Sequence, residues 1–290
     1  MPDELSLSLR ARVALEARVA LEAHGFHFTH SLGQNFLLDD HAVAEIVARA
    51  GVKAGDHILE IGPGAGLLTA MMADAGADVL AVELDRAVEP VLRDVLGERS
   101  VRIVFADCMK ADLKALTAEA FGENAPFSIV ANLPYYITAD FLMRAVRLSP
   151  ERITVMVQKE AAERMLSQPG DKNWCATAAT VRYFAEPSMV MEAPASLFTP
   201  PPHVDSALLR LEMRETRAVP AEREEAFLNL IQVAFRMRRK TLANNLTAGL
   251  SLSRTDALRA LEAAGLDERV RGETLTLADF ERLAEALHEK

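Results

Sequence analysis

The stretch DHILEIGPGAGLLTAMMADAG, residues 56–76, reads as strand, glycine loop and helix. Its apolar run ends in Gly62, Gly64 and Gly66, and a helix-forming segment follows at once. Glycine lets the backbone turn sharply there and lets a ligand approach the amide groups at the helix N-terminus. Upstream, HAVAEIVARAG (41–51) predicts an amphipathic helix closed by a glycine. Downstream come four more short apolar runs, ADVLAVELD (77–85), VRIVFADC (101–108), FSIVANLPYY (127–136) and RITVMVQKE (152–160), separated by helical segments. That alternation predicts an α/β fold, a doubly wound, mostly parallel, Rossmann-like sheet covered on both faces.

After about residue 185 the texture changes. PSMVMEAPASLFTPPPHVDSALLRLEM (187–213) is proline-rich and ends in a β-like run, as if a hairpin closes the sheet. PAEREEAFLNLIQVAFRMRRKTLANNL (220–246) then opens a purely helical tail. The expected division is a helical extension over 1–30, the main domain over 31–215 and a small all-α domain over 216–290. The extension contains RVALEA twice in succession and reads as a helix, and its acidic residues argue against a leader peptide.

Half of the 290 residues are hydrophobic and 26% are charged, the balance of an ordinary globular protein. No apolar run approaches the roughly 20 residues needed to span a membrane. Two cysteines, Cys108 and Cys175, make no disulfide framework, so a reducing cytoplasm is the expected compartment. The net charge of −10 opposes a general nucleic-acid binder. However, residues 221–290 carry 11 Lys+Arg against 12 Asp+Glu, leaving 21 against 30 in the rest of the chain. The tail also holds the cluster Arg236, Arg238, Arg239 and Lys240, and local patches rather than totals decide phosphate binding.

Glu83 ends the strand after the glycine loop, where a carboxylate can accept both hydroxyls of a ribose. Asp107 ends the next strand in the same way. The G-x-G-x-G spacing is not the G-x-G-x-x-G of a dinucleotide site. With successive strand-end acids, it suits S-adenosylmethionine better than a nicotinamide cofactor. Asn132 leaves the following strand at the same edge. Pro134 fixes φ and removes a donor, so the Leu133 carbonyl can be held facing a pocket. The Asn132 side-chain oxygen and that carbonyl are two acceptors for an exocyclic amine such as adenine N6. Tyr135 offers an aromatic face for a flipped-out base, a contact worth roughly 1–3 kcal/mol. Such a site would act by positioning and electrostatics, with no strong base.

NLPY behind such a loop is the signature of adenine-N6 methyltransferases acting on RNA. SLGQNFLLDD (31–40), FTPPPHVDSALLRL (198–211) and AFRMRRKTLANNL (234–246) narrow the match. From about residue 30 to about 280 the chain resembles the small-subunit (16S) ribosomal RNA adenine N6,N6-dimethyltransferase family. The resemblance implies two methyls on each of two adjacent adenines near the 3′ end of that RNA, transferred from S-adenosylmethionine during ribosome biogenesis. It implies that Asn35 and Leu37 line the cofactor pocket, with Gln34 beside them. Gly62, in the loop with Gly64, would approach the methionine part, Glu83 the ribose and Asp107 the adenine ring. Asn132 would touch cofactor and target amine, and Phe198 would stack on the base opposite Tyr135. RRKTLANNL would bind RNA or pack the tail. The expected partner is small-subunit rRNA in an assembling 30S particle, with no membrane and a monomeric enzyme.

Three positions depart from the family's pattern. HFTHS (27–31) stands where basic residues precede LGQNF, His203 takes a lysine position, and Trp174-Cys175 replaces Tyr-Gly. The first two remove positive charge from the face that the resemblance assigns to RNA. His24, His27 and His30 lack a matching second cluster for a metal site, so no metal is expected. Cys108 reads as a small buried residue rather than a nucleophile. The rival functions are a large-subunit rRNA methyltransferase that confers macrolide resistance, a ribosome-assembly or transcription-related binding protein, and, more distantly, a nicotinamide oxidoreductase.

Overall fold

Each apolar run becomes a strand, buried at its centre except at 101–105, the sheet's edge, where the residues are half-buried and Arg102 is exposed. The computed structural model describes residues 3–29 and 33–288. It runs α1 (Asp3–Ala23), β1 (Phe36–Leu37), α2 (Asp40–Ala50), β2 (His57–Ile61), α3 (Leu67–Asp74), β3 (Asp78–Glu83), α4 (Glu89–Leu96), β4 (Val101–Phe105), α5 (Leu113–Phe121) and β5 (Ser128–Asn132). There follow α6 (Thr138–Ala145), β6 (Arg152–Gln158), α7 (Lys159–Leu166), α8 (Ala176–Phe184), β7 (Ala185–Ala193), β8 (Phe198–Thr199) and β9 (Ser206–Met213). The helices α9 (Glu224–Phe235), α10 (Leu242–Gly249), α11 (Arg254–Ala263) and α12 (Leu277–His288) complete the chain.

The seven-stranded sheet has the order β4-β3-β2-β5-β6-β9-β7. Its first five strands pair in parallel, and β9 returns antiparallel to β6. The chain winds outward from β2 to β3 and β4, then crosses to β5 on the other side of β2. The carboxyl ends of β2 and β5 therefore border the crevice where strand order reverses, the usual place for a ligand in such sheets. Beside it, β1 and β8 form a separate antiparallel pair, with Phe36 opposite Thr199 and Leu37 opposite Phe198.

By internal contacts the chain divides into two units, one up to Ala162 with Ser188–Met213, the other Glu163–Pro187 with the chain from Arg214 onward. The helical unit thus takes in residues 163–187, which the sequence assigned to the main domain, and α1 belongs to the sheet-bearing unit.

The N-terminal helix shows how a repeat can serve two environments. Six residues advance an α-helix by about 600°, or 240° around its axis, so the two RVALEA copies cannot present the same face. Val13 of the first copy is buried while Val19 of the second is 54% exposed; Leu15 is 61% exposed while Leu21 is buried. The buried set packs on α4, α2 and α3.

In the helical unit, Trp174, Tyr183, Phe184, Phe227 and Phe280 are fully buried. Trp174 donates Nε1–H to the Leu275 carbonyl at 3.3 Å and meets Phe235 edge-on. This places the Trp174 departure in the core of that unit. Asn245 of RRKTLANNL is buried, accepting from the Met237 N–H at 3.0 Å and donating to the Ala234 carbonyl at 3.0 Å. It closes the C-terminal turn of α9, whose last carbonyls have no intrahelical partner. Leu242, Ala243 and Leu246 are buried as well, while Arg236, Arg238, Arg239 and Lys240 are exposed. Gly272 lies under the same helix end: a Cβ there would fall on the Ala234 carbonyl, with its carbon 2.8 Å away. Backbone cannot yield as a side chain does. Gly272→Ala is therefore expected to lower stability by about 2–3 kcal/mol, read as a lower urea midpoint; an unchanged midpoint would refute the crowding.

Candidate active site

Four consecutive strand ends and one preceding segment converge on a single cleft. Its walls come from Gly33–Phe36, from Ile61, Gly62 and Gly64 after β2, from Val82–Leu84 at the end of β3, from Ala106–Met109 after β4, and from Asn132–Ile137 after β5. The cleft's cavity measures about 190 Å³.

The glycine loop is shaped by what presses on it. Gly64 has φ +55°, and a Cβ there would meet the Phe36 ring at 2.9 Å. Phe36 is held in turn by Phe26, stacked at 5.6 Å, and by Phe28, edge-on at 5.2 Å. Glu83 stands at the floor. One oxygen accepts from the Gly64 N–H at 3.2 Å and the other from the Asp85 N–H at 2.8 Å. Burial nonetheless pushes its carboxyl above the ordinary carboxylate value, the mark of a low-dielectric site. Asp107 is the opposite case. The Met109 N–H, at 2.9 Å, holds its carboxyl below the usual range, and Lys110 lies 3.2 Å away. Arg144 donates to the carbonyls of Met109 and Ala111, fixing the loop that carries it.

On the β5 side, the Asn132 Nδ2 donates to the Asn35 carbonyl at 3.1 Å. The amide nitrogen must face that carbonyl, which leaves Oδ1 as the acceptor. The Leu133 N–H is taken by the Met156 carbonyl at 3.1 Å, and Pro134 has φ −56° and ψ 130°. The Tyr135 hydroxyl lies 2.7 Å from Ser206 Oγ, a fully buried hydroxyl at the start of β9. That bond fixes the ring at the cleft wall.

Asn35, Gly62, Gly64, Glu83, Asp107, Asn132, Leu133 and Tyr135, all anticipated from the sequence, therefore line one cleft, and Gln34 lies among them. Leu37 and Phe198 do not line it. They face each other across the β1–β8 pair, and Phe198 is only 3% exposed. Leu37 instead borders a cavity of about 30 Å³ behind the glycine loop, together with Glu60, Gly62, Gly64 and Asn132. Sequence reasoning passed over Leu84, Asp85, Met109, Tyr136 and Ser206. Leu84 and Tyr136 carried a signal, since each adjoins a singled-out residue; Ser206 reaches Tyr135 only through the antiparallel return of β9. Glu60 was missed too. It is buried in β2, its Oε2 has no hydrogen-bond partner among the described residues, and burial, with Glu83 adding, pushes its carboxyl up to about 8.

Other candidates take plainer roles. His24 is paired with Asp94 at 2.7 Å, His27 is exposed, and His30 lies outside the described residues. Cys108 is buried, which pushes its thiol up to about 11 and keeps it protonated near neutrality.

An open, mostly parallel sheet whose switch-point cleft joins a glycine loop, strand-end carboxylates and an Asn-Leu-Pro-Tyr turn defines a methyltransferase of the Rossmann-like class. The chain belongs to the ribosomal RNA adenine dimethylase family, whose sequence profile matches residues 25–289. It is similar to ribosomal RNA small subunit methyltransferase A of Geobacillus thermodenitrificans, 42% identical over 91% of this chain and 92% of the relative. The protein of that name from Enterococcus faecalis is 41% identical over 91% of this chain and 92% of its own. Among solved structures, a dimethyladenosine transferase from Plasmodium falciparum matches with TM-score 0.71 and 26% identity, over 87% of this chain and 96% of that one. The 23S rRNA methyltransferase ErmE matches with TM-score 0.66 and 26% identity, over 88% and 100%. The protein is thus an rRNA adenine dimethyltransferase.

Proposed function

We propose that the protein dimethylates N6 of two adjacent adenines near the 3′ end of small-subunit rRNA, using S-adenosylmethionine, as a monomer acting on an assembling 30S particle in the cytoplasm. The observation that carries this reading is the Asn132 carboxamide, oriented by the Asn35 carbonyl at the strand-order reversal and facing the strand-end acids. The names of the curated relatives support the small subunit as target, and among the described residues no helix is long and apolar enough to cross a membrane.

The residues present fit the cofactor. Glu83 supplies a buried double acceptor for a ribose, with Leu84 and Met109 as apolar neighbours for a purine. Asp107 is an ionised acceptor at the purine end. Gly62 and Gly64, with Asn35 on the facing segment, would hold the methionine part, while Leu37 backs that wall from the small cavity. When bound, S-adenosylmethionine supplies an electrophilic methyl on a sulfonium. Asn132 Oδ1 and the Leu133 carbonyl accept from the target amine and turn its lone pair toward that methyl. Tyr135, anchored by Ser206, gives the base its stacking face. Phe198 could take the opposite face only by leaving its buried position.

Glu83→Ala is expected to weaken binding of S-adenosylhomocysteine by at least about tenfold, because a buried double acceptor is removed. Asp107→Ala should cost less, since its carboxylate is partly solvated; equal losses measured by calorimetry would contradict this placement. The test of the function is transfer of labelled methyl to unmethylated small subunits, protein-free small-subunit RNA and large subunits. Dimethyladenine in the small-subunit particle is the expected result. Transfer to the large subunit instead would overturn the target assignment.

A further inference from the structure

We infer that Gln34 is a positioning residue for methyl transfer: it latches the segment Gly33–Leu37 to Asp85 and thereby holds the Asn35 carbonyl that orients Asn132. This deepens the reading above and rests on it. The side chain of Gln34 bonds at both ends. Its Nε2 donates to Asp85 Oδ2 at 2.7 Å, and its Oε1 accepts from the Thr29 N–H at 2.7 Å. Asp85 is itself tied down, because its other oxygen caps the turn at the Ala87 N–H, at 2.9 Å, and its own N–H donates to Glu83.

The segment is thus held at two points. On one side of Asn35 stands the Gln34–Asp85 bond. On the other, Phe36 presses on Gly64 and Leu37 pairs with Phe198. Between them the Asn35 carbonyl accepts from Asn132 Nδ2, while the Asn35 side chain donates to the Gly33 carbonyl at 3.2 Å. A carboxamide can rotate about its terminal bond, and either orientation fills the same space. Only a fixed acceptor on one side decides which end faces the reacting amine. Gln34 decides the position of that acceptor without touching the transferred methyl.

The bond between Gln34 and Asp85 has a polarity that can be reversed. Gln34→Glu sets two carboxylates face to face and breaks the latch, while the bond from the Thr29 N–H survives. Adding Asp85→Asn restores one donor and one acceptor, because the new amide can donate to the new carboxylate while its oxygen still caps the Ala87 N–H.

The experiment measures kcat at saturating cofactor and RNA, the dissociation constant of S-adenosylhomocysteine, and amide hydrogen exchange over 33–37. The proteins are wild type, Gln34→Glu, Asp85→Asn, the double variant and Asn132→Ala. A misplaced catalytic group can lower a rate by about 100-fold, so Gln34→Glu is expected to reduce kcat by roughly 10- to 100-fold. Exchange over 33–37 should rise, and S-adenosylhomocysteine affinity should change by less than about threefold. The double variant should recover both kcat and exchange protection, and Gln34→Glu alone should recover partly at acid pH, where one facing carboxylate takes a proton. Asp85→Asn alone, which faces an amide with an amide and introduces no like charges, should also lower kcat; it keeps the test open if Gln34→Glu misfolds. Loss of activity in Asn132→Ala with wild-type kcat in both single variants would overturn the latch and leave the function intact. Full activity in Asn132→Ala would overturn both. A double variant that regains exchange protection but not kcat would show that the latch does not act on the chemistry.

Discussion

Asn132→Ala is expected to lower kcat by about 10²- to 10³-fold, the loss typical of removing one preorganised polar group at a reacting centre. Binding of S-adenosylhomocysteine should change far less, because Glu83 and the glycine loop supply the nucleoside and backbone contacts on the other wall. Stability should hold as well. Asn132 lies partly exposed at a strand end, and among the described residues its side chain makes one bond, to the Asn35 carbonyl. Asn132→Asp separates the two halves of the role: it keeps an acceptor for the target amine but removes the donor to Asn35. An activity near that of Asn132→Ala would mean that orientation by Asn35 is as necessary as the acceptor. Wild-type turnover in Asn132→Ala, assayed as dimethyladenine formed in small-subunit RNA, would remove Asn132 from the mechanism.

Glu60→Gln is expected to stabilise the protein in neutral and mildly alkaline solution and to have little effect in acid. The Glu60 carboxyl, ordinarily near 4.5, is pushed up to about 8 by burial. Between those values the native chain holds a proton that the unfolded chain has lost. Stability therefore falls as pH rises through that window. Below about 4.5 both states are protonated and the group contributes nothing; above 8 the native state carries a buried charge at full penalty. Glutamine removes the titration while preserving shape. The gain should be on the order of 2–4 kcal/mol at pH 8, seen as a melting temperature raised by several degrees, and should vanish near pH 4.5. Parallel melting curves for the two proteins across pH 5 to 8 would show that Glu60 does not titrate in this range.

The parts of the site visible in sequence share one property: each lies at a strand end or in a tight turn, where residue type and position determine geometry locally. Gly62 and Gly64 must turn the chain after β2, Glu83 must follow four apolar residues of β3, and Asn132 must close β5 before Pro134. Because parallel strands present their carboxyl ends on one edge, these residues converge without any knowledge of packing. Leu37 and Phe198 show the limit. Both sit in motifs, but whether their side chains face the cleft or the core depends on the β1–β8 pairing of segments far apart in the chain. Ser206 reaches Tyr135 for a similar reason, since only the antiparallel register of β9 on β6 brings it there.

The sequence by itself determined the doubly wound sheet, the family, the glycine loop with its acids and the Asn-Leu-Pro-Tyr turn, because hydrophobic period and turn chemistry are local quantities. The tertiary structure alone decided that residues 163–187 join the helical unit and that Trp174 fills its core. It alone decided that one RVALEA copy buries its valine while the other exposes it, and that Gln34 reaches Asp85. These outcomes depend on which surfaces meet, and burial is a property of pairs of segments that neither segment encodes alone.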